Sequence, residues 1–145
     1  MIVYLDASAL VKRYVAEAGS QAVTSLITRA DSVGTVAVSR VEVVAALGKA
    51  TRMKVLKDDE AASALQVFAA DWENLIRMQA TEVLVARAAT FARDQGLRGY
   101  DAVHLAAAVF WQEMLGEPVV LATFDRQLWR GASITGLIAW PESEP

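Results

Sequence analysis

With 145 residues the chain has the length of one ordinary domain, and a core of that size forms without covalent or metal staples. Zero cysteines exclude a disulfide scaffold, a thiolate zinc site and a cysteine nucleophile, while 54% hydrophobic and 21% charged residues exclude a disordered chain. No apolar run approaches the roughly 20 residues that cross a bilayer, and no basic N-terminal segment precedes a cleavage-like site, so the expectation is a cytoplasmic protein with no membrane partner.

In chain order, the apolar run Ile2-Val3-Tyr4-Leu5 predicts a buried strand that ends directly in Asp6. Ser8 then opens a helix carrying Ala9, Leu10, Val11, Tyr14 and Val15 to about Glu17, and a second helical pattern follows over 21–28. The valine-rich stretch 32–38 predicts the second strand. Ser39-Arg40-Val41-Glu42 has the Ser-x-x-Glu form of a capping box and starts a helix with Val43, Val44 and Leu47 on its apolar side. Asp58 and Asp59 can cap a further helix bearing Leu65, Phe68 and Trp72, and 75–78 is a short strand candidate.

Thr81 caps a helix to about Arg93, which Gly96 ends. Asp101 stands at the start of a helix over 102–115 that is apolar nearly all round and therefore predicted to be buried. A strand over 118–122 leads through Thr123-Phe124-Asp125 into a short helix with Leu128 and Trp129. A last strand is expected within 134–140, so the domain spans 1–140 and residues 141–145 form a polar tail. Alternating strands and helices of these lengths predict an α/β domain with a mostly parallel sheet covered on both faces, whose ligand sites lie at the carboxyl ends of the strands.

Four acidic residues, Asp6, Glu42, Asp101 and Asp125, recur where a helix begins. Capping and the helix dipole explain each of them alone. Together at one sheet edge they would repel one another unless cations neutralise them, and an oxygen-only donor set matches hard Mg²⁺ or Mn²⁺. Such a cluster suits phosphodiester hydrolysis. The net charge of −3 does not decide against a nucleic-acid partner: taking these four from the 17 acidic residues leaves 13 against 14 basic ones.

The segments Val3-Tyr4-Leu5-Asp6-Ala7-Ser8-Ala9-Leu10, Ser39-Arg40-Val41-Glu42, Tyr100-Asp101-Ala102-Val103-His104-Leu105-Ala106 and Leu121-Ala122-Thr123-Phe124-Asp125 resemble, in order, the motifs of the PIN-domain ribonucleases. The resemblance is strongest to the VapC-type toxins of toxin–antitoxin pairs. It implies a three-layer α/β/α PIN-like domain and a Mg²⁺- or Mn²⁺-dependent endoribonuclease. It also implies that Asp6, Glu42, Asp101 and Asp125 are the catalytic metal ligands, with Ser8 and Thr123 as polar supports. RNA as substrate, a cognate antitoxin as partner and a homodimer are further implications.

His104, the only histidine, lies in the most apolar helix, where a packed side chain bonded to backbone or carboxylate is expected rather than a ligand. Lys12, Arg13, Arg98 and Arg126 flank the acids and suit either RNA phosphates or solvent. Phe68, Trp72, Trp111 and Trp129 suit either the core or a groove for an amphipathic helix. Two alternatives stand beside the nuclease: a Mg²⁺-binding receiver-like signalling domain, which would need an acidic neighbour that Asp6 lacks, and a non-catalytic module of the same fold.

Overall fold

A computed structural model describes all residues, 1–145. Five strands form one sheet: β1 (Ile2–Leu5), β2 (Ser32–Val36), β3 (Ile76–Met78), β4 (Val119–Ala122) and β5 (Ile138–Trp140). Their order is β3-β2-β1-β4-β5 and every pairing is parallel. Seven helices cover it: α1 (Ala7–Leu10), α2 (Ser20–Arg29), α3 (Ser39–Arg52), α4 (Asp58–Trp72), α5 (Glu82–Gln95), α6 (Gly99–Leu115) and α7 (Arg126–Ile134). None is long and apolar enough to cross a membrane.

The inner strands β1 and β4 lack a polar alternation because both of their faces are buried. Within β1 the period-two geometry divides the side chains. Tyr4 packs with Val36, Leu121 and the apolar side chains of α5, α6 and α7. Val3 and Leu5 pack with Val120, Ala122 and residues of α1 to α4, among them Leu10, Leu47, Phe68 and Trp72. The result is three layers, α/β/α. Helix α6 is buried along most of its length, as its all-round apolar character requires, and Trp111 of α6 lies against the sheet where Gly34 of β2 lacks a side chain.

The chain leaves β1 toward β2 and β3, then returns to place β4 on the other side of β1. The gap between the carboxyl ends of β1 and β4 is therefore the topological switch point, where loops diverge and a cleft opens. Leu5 pairs with Ala122 at this end, and the Asp6 N–H donates to the Ala122 carbonyl at 3.2 Å.

Several local expectations are corrected. Asp6, not Ser8, caps α1, and α1 does not run to Glu17. After Leu10 a single 3-10 turn (Val11–Arg13) follows, and Lys12 then holds the next loop by donating to the Ala18 carbonyl. Ser39-x-x-Glu42 is not a capping box: Ser39 is already helical and its hydroxyl bonds Thr35, while the Glu42 carboxylate bonds His104. Asp58 and Asp59 stand in the first turn of α4, where they complement the dipole, and Glu60 reaches back to the Lys57 N–H. Helix α6 begins at Gly99, which puts Asp101 inside its first turn. Ile134 ends α7 rather than starting β5, because the left-handed turn at Gly136 (φ 81°) comes first. The polar tail lies back on α7 through Arg130–Glu144 and an Arg126 bond to the Pro145 backbone oxygen.

Candidate active site

Asp6 is delivered by the central strand of the sheet and is itself only 2% exposed. Its carboxylate is held by three donors. Oδ1 accepts from the Ala9 N–H at 2.8 Å and the Ser8 hydroxyl at 2.7 Å; Oδ2 accepts from the Thr123 hydroxyl at 2.6 Å and more weakly from Ser8 at 2.9 Å. The two hydroxyls are fixed in turn, since Ser8 Oγ accepts the Phe124 N–H and Thr123 Oγ1 accepts the Asp125 N–H. The β1–α1 and β4–α7 turns thus meet around one carboxylate. Burial pushes the Asp6 carboxyl above the ordinary aspartate range, against the opposing influence of His104 and these donors.

Glu42 enters from the first turn of α3. Its Oε1 lies 2.7 Å from His104 Nε2, and His104 Nδ1 lies 2.9 Å from the Tyr4 hydroxyl. Burial, and next the nearby Asp6, hold the Tyr4 phenol well above its ordinary value, so it stays a donor. With Tyr4 O–H donating to Nδ1, His104 is the tautomer whose Nε2–H donates to Glu42 Oε1. His104 is a buried link between β1 and α3, as its apolar helix led one to expect.

At the junction of β2 and α3 the sequence reading overlooked a second polar support. Thr35 Oγ1 donates to the Leu5 carbonyl at 2.7 Å and lies 2.6 Å from Ser39 Oγ, tying the ends of β1 and β2 to the start of α3. The available signal was a buried Thr and Ser four residues apart at a strand–helix junction.

Asp101 and Asp125 face each other across Arg98. Arg98 Nε donates to Asp101 Oδ2 at 3.0 Å and one Nη donates to Asp125 Oδ2 at 2.7 Å. Asp125 Oδ1 also caps α7 at the Leu128 N–H. Burial and then repulsion from Asp125 raise the Asp101 carboxyl above its ordinary range, with Arg98 opposing the rise. The other flanking cations are engaged elsewhere: Lys12 with Glu17, Arg13 with Asp71, and Arg126 with the tail. Phe68, Trp72 and Trp111 are core residues, while Trp129 is half-buried and donates to the Pro141 carbonyl.

Asp6, Ser8, Glu42, Arg98, Asp101, His104 and Asp125 line one cleft of about 270 Å³. A larger apolar pocket between α5 and α6 shares Glu42, Arg98 and Asp101 with it. The donor set of the cleft suits a hard divalent cation: four carboxylates, with the one imidazole already bonded at both nitrogens. Side-chain placement does not yet aim three of them at one point, because Arg98 holds Asp101 and Asp125 and His104 holds Glu42.

Residues 3–132 match the family model of the PIN domain. The chain is 36% identical over 136 residues to Ribonuclease VapC45 of Mycobacterium tuberculosis (strain CDC 1551 / Oshkosh), an alignment covering 93% of this chain and 92% of the relative. The same figures hold for Ribonuclease VapC49 of M. tuberculosis (strain ATCC 25618 / H37Rv). Among solved structures, the fold resembles PAE2754 from Pyrobaculum aerophilum (TM-score 0.66, 21% identity, covering 96% of this chain and 90% of that one). It also resembles VapBC2 from Rickettsia felis bound to a DNA fragment from their promoter (TM-score 0.64, 14% identity, 96% and 97% covered).

Proposed function

The chain belongs to the PIN-domain family, and from that membership we propose that it is a metal-dependent endoribonuclease toxin that hydrolyses RNA phosphodiester bonds and is neutralised by a cognate antitoxin. The observation that carries this reading is that Asp6, Glu42, Asp101 and Asp125 line one cleft at the switch point of the sheet. Those four residues would hold Mg²⁺ or Mn²⁺. Bound there, the cation supplies charge neutralisation and water activation for attack on a phosphodiester.

The chain's own contribution is orientation. Ser8, Thr123 and the Ala9 N–H fix both oxygens of Asp6, so this carboxylate cannot rotate away from the cleft. His104, anchored by Tyr4, fixes one oxygen of Glu42 and leaves the other without that constraint. A homodimer is the proposed assembly, to be checked by light scattering, and the antitoxin is sought in the neighbouring open reading frame.

The test is RNA cleavage by protein purified free of antitoxin, with Mg²⁺ or Mn²⁺, across a panel that includes transfer and ribosomal RNAs. Cleavage is expected and should disappear on addition of a chelator, in Asp6→Asn and Asp101→Asn, and on addition of the neighbouring gene's product. No cleavage of any RNA with either metal would sink the nuclease reading.

A further inference from the structure

Arg98 stands just before α6 and makes no capping bond; its pairing with Asp101 lies within the first turn, but its pairing with Asp125 is not explained by the local fold. That side chain is 75% exposed, yet its two bonds go to carboxylates from different elements, Asp101 on α6 and Asp125 on the β4–α7 turn. No other cationic side chain pairs with any of the four acids, apart from the buried His104 at Glu42. Nε and one Nη occupy one edge of a five-donor fork. Arg98 thus supplies part of the charge neutralisation that the acids require, and it does so from a position that solvent and large ligands can reach.

We propose that Arg98 is a partner-switching cation: it pairs Asp101 with Asp125 in the cation-free protein, yields both when a divalent ion binds, and then receives a backbone phosphate of RNA. The inference rests on the metal-site reading given above. The guanidinium and a divalent ion compete for the same two carboxylates, so entry of the ion weakens the hold of Arg98 on Oδ2 of both residues. Arg98 is the exposed member of both pairs, at 75% against 14% for Asp101 and 23% for Asp125, so water screens the pairing and solvates the guanidinium once it is released. Once released, a planar fork at the rim of the cleft is well shaped for a phosphate, which it can bind through two donors.

The experiment titrates Mn²⁺ into the full chain calorimetrically, and measures binding of a phosphorothioate-backbone RNA in saturating Mn²⁺ by fluorescence anisotropy. The variants are Arg98→Gln, Arg98→Lys and, as a control for net charge alone, Arg126→Gln. R98Q is expected to tighten Mn²⁺ binding by about three- to tenfold, the range of two weak ion pairs removed, and to weaken RNA binding by a similar factor. R98K should retain more RNA affinity than R98Q, and R126Q should shift neither constant by more than about twofold. Equal Mn²⁺ affinity in R98Q and wild type, equal tightening in R126Q, or unchanged RNA affinity in R98Q would overturn the switch. Wild-type protein that binds no Mn²⁺ would remove the metal-site reading and this inference together; Mn²⁺ binding indifferent to R98Q removes this inference alone.

Discussion

His104 Nε2 lies 2.7 Å from Glu42 Oε1, joining a buried histidine of α6 to an acid of α3 sixty-two residues earlier. The imidazole is 2% exposed and bonded at both nitrogens. Replacing it with alanine removes Glu42's only side-chain partner and takes the His104 acceptor from the buried Tyr4 hydroxyl. His104→Ala is expected to cut cleavage by about 10- to 100-fold, the usual scale for a group that orients a ligand, and to lower stability by at least about 2 kcal/mol. Tyr4→Phe keeps the imidazole, so it should lower stability by about 1 kcal/mol while holding activity within a few-fold. Cleavage rates and thermal melts on both variants check this; equal losses of activity in the two would refute the orienting role.

Asp6→Asn separates folding from function at the most buried acid. The fold holds the Asp6 carboxyl above its ordinary range through burial, so its charged form is disfavoured in the native protein. An amide removes that charge and keeps one oxygen for the Ala9 N–H, while Thr123 Oγ1 can accept from the new NH₂. Stability without metal is expected to stay within about 1 kcal/mol of wild type or to rise. Cleavage and the Mn²⁺-induced rise in Tm should both disappear. An unfolded variant, or one that retains its response to Mn²⁺, would contradict the assignment.

What the sequence could disclose follows from the range of each interaction. Asp6 was legible because an apolar strand pattern stops at it and a helical one starts, and the parallel α/β class followed from the same alternation. Ser39-x-x-Glu42 misled because a capping box is a local pattern, whereas the partners that claim these side chains, Thr35 and His104, are chosen by strand order and helix placement. The early end of α1 was equally hidden: Tyr14 bonds Asp71 from across the fold, and no residue near Val11 signals it. Arg98 could be named as a neighbour of the acids, but its double pairing depends on α6 and the β4–α7 turn meeting in space.

The pKa directions also give stability a pH dependence. Asp6 and Asp101 bind protons more tightly when folded, so their contribution to stability is fully present below the ordinary aspartate pKa of about 4 and is lost as pH rises through their raised native values. A divalent cation offsets that loss by favouring the ionised form. The rise in Tm produced by Mn²⁺ is therefore expected to be smaller at about pH 4.5, close to the ordinary aspartate range, than at about pH 7.5. The difference should shrink in Asp6→Asn. A Tm increment that does not vary with pH would show that the buried acids are not the binding groups.

A last expectation concerns the scaffold. A methyl group at Gly34 would stand 2.8 Å from two ring carbons of Trp111 and 3.1 Å from the Ile76 carbonyl oxygen. Trp111 is 2% exposed and cannot swing out without opening the core, so β2 or α6 must shift. Gly34→Ala is expected to cost about 1–3 kcal/mol, or roughly 2–4 °C in Tm for each kcal/mol in a chain of this size. The strained ring atoms belong to the six-membered part of the indole, which phenylalanine reaches less far to replace. Trp111→Phe should therefore destabilise the wild type but less so the alanine variant, giving a coupling of at least about 0.5 kcal/mol in the double-mutant cycle. Additive losses would mean that β2 accommodates the methyl group by moving away from α6, and with it Thr35, which ties β2 to the Leu5 carbonyl just before Asp6.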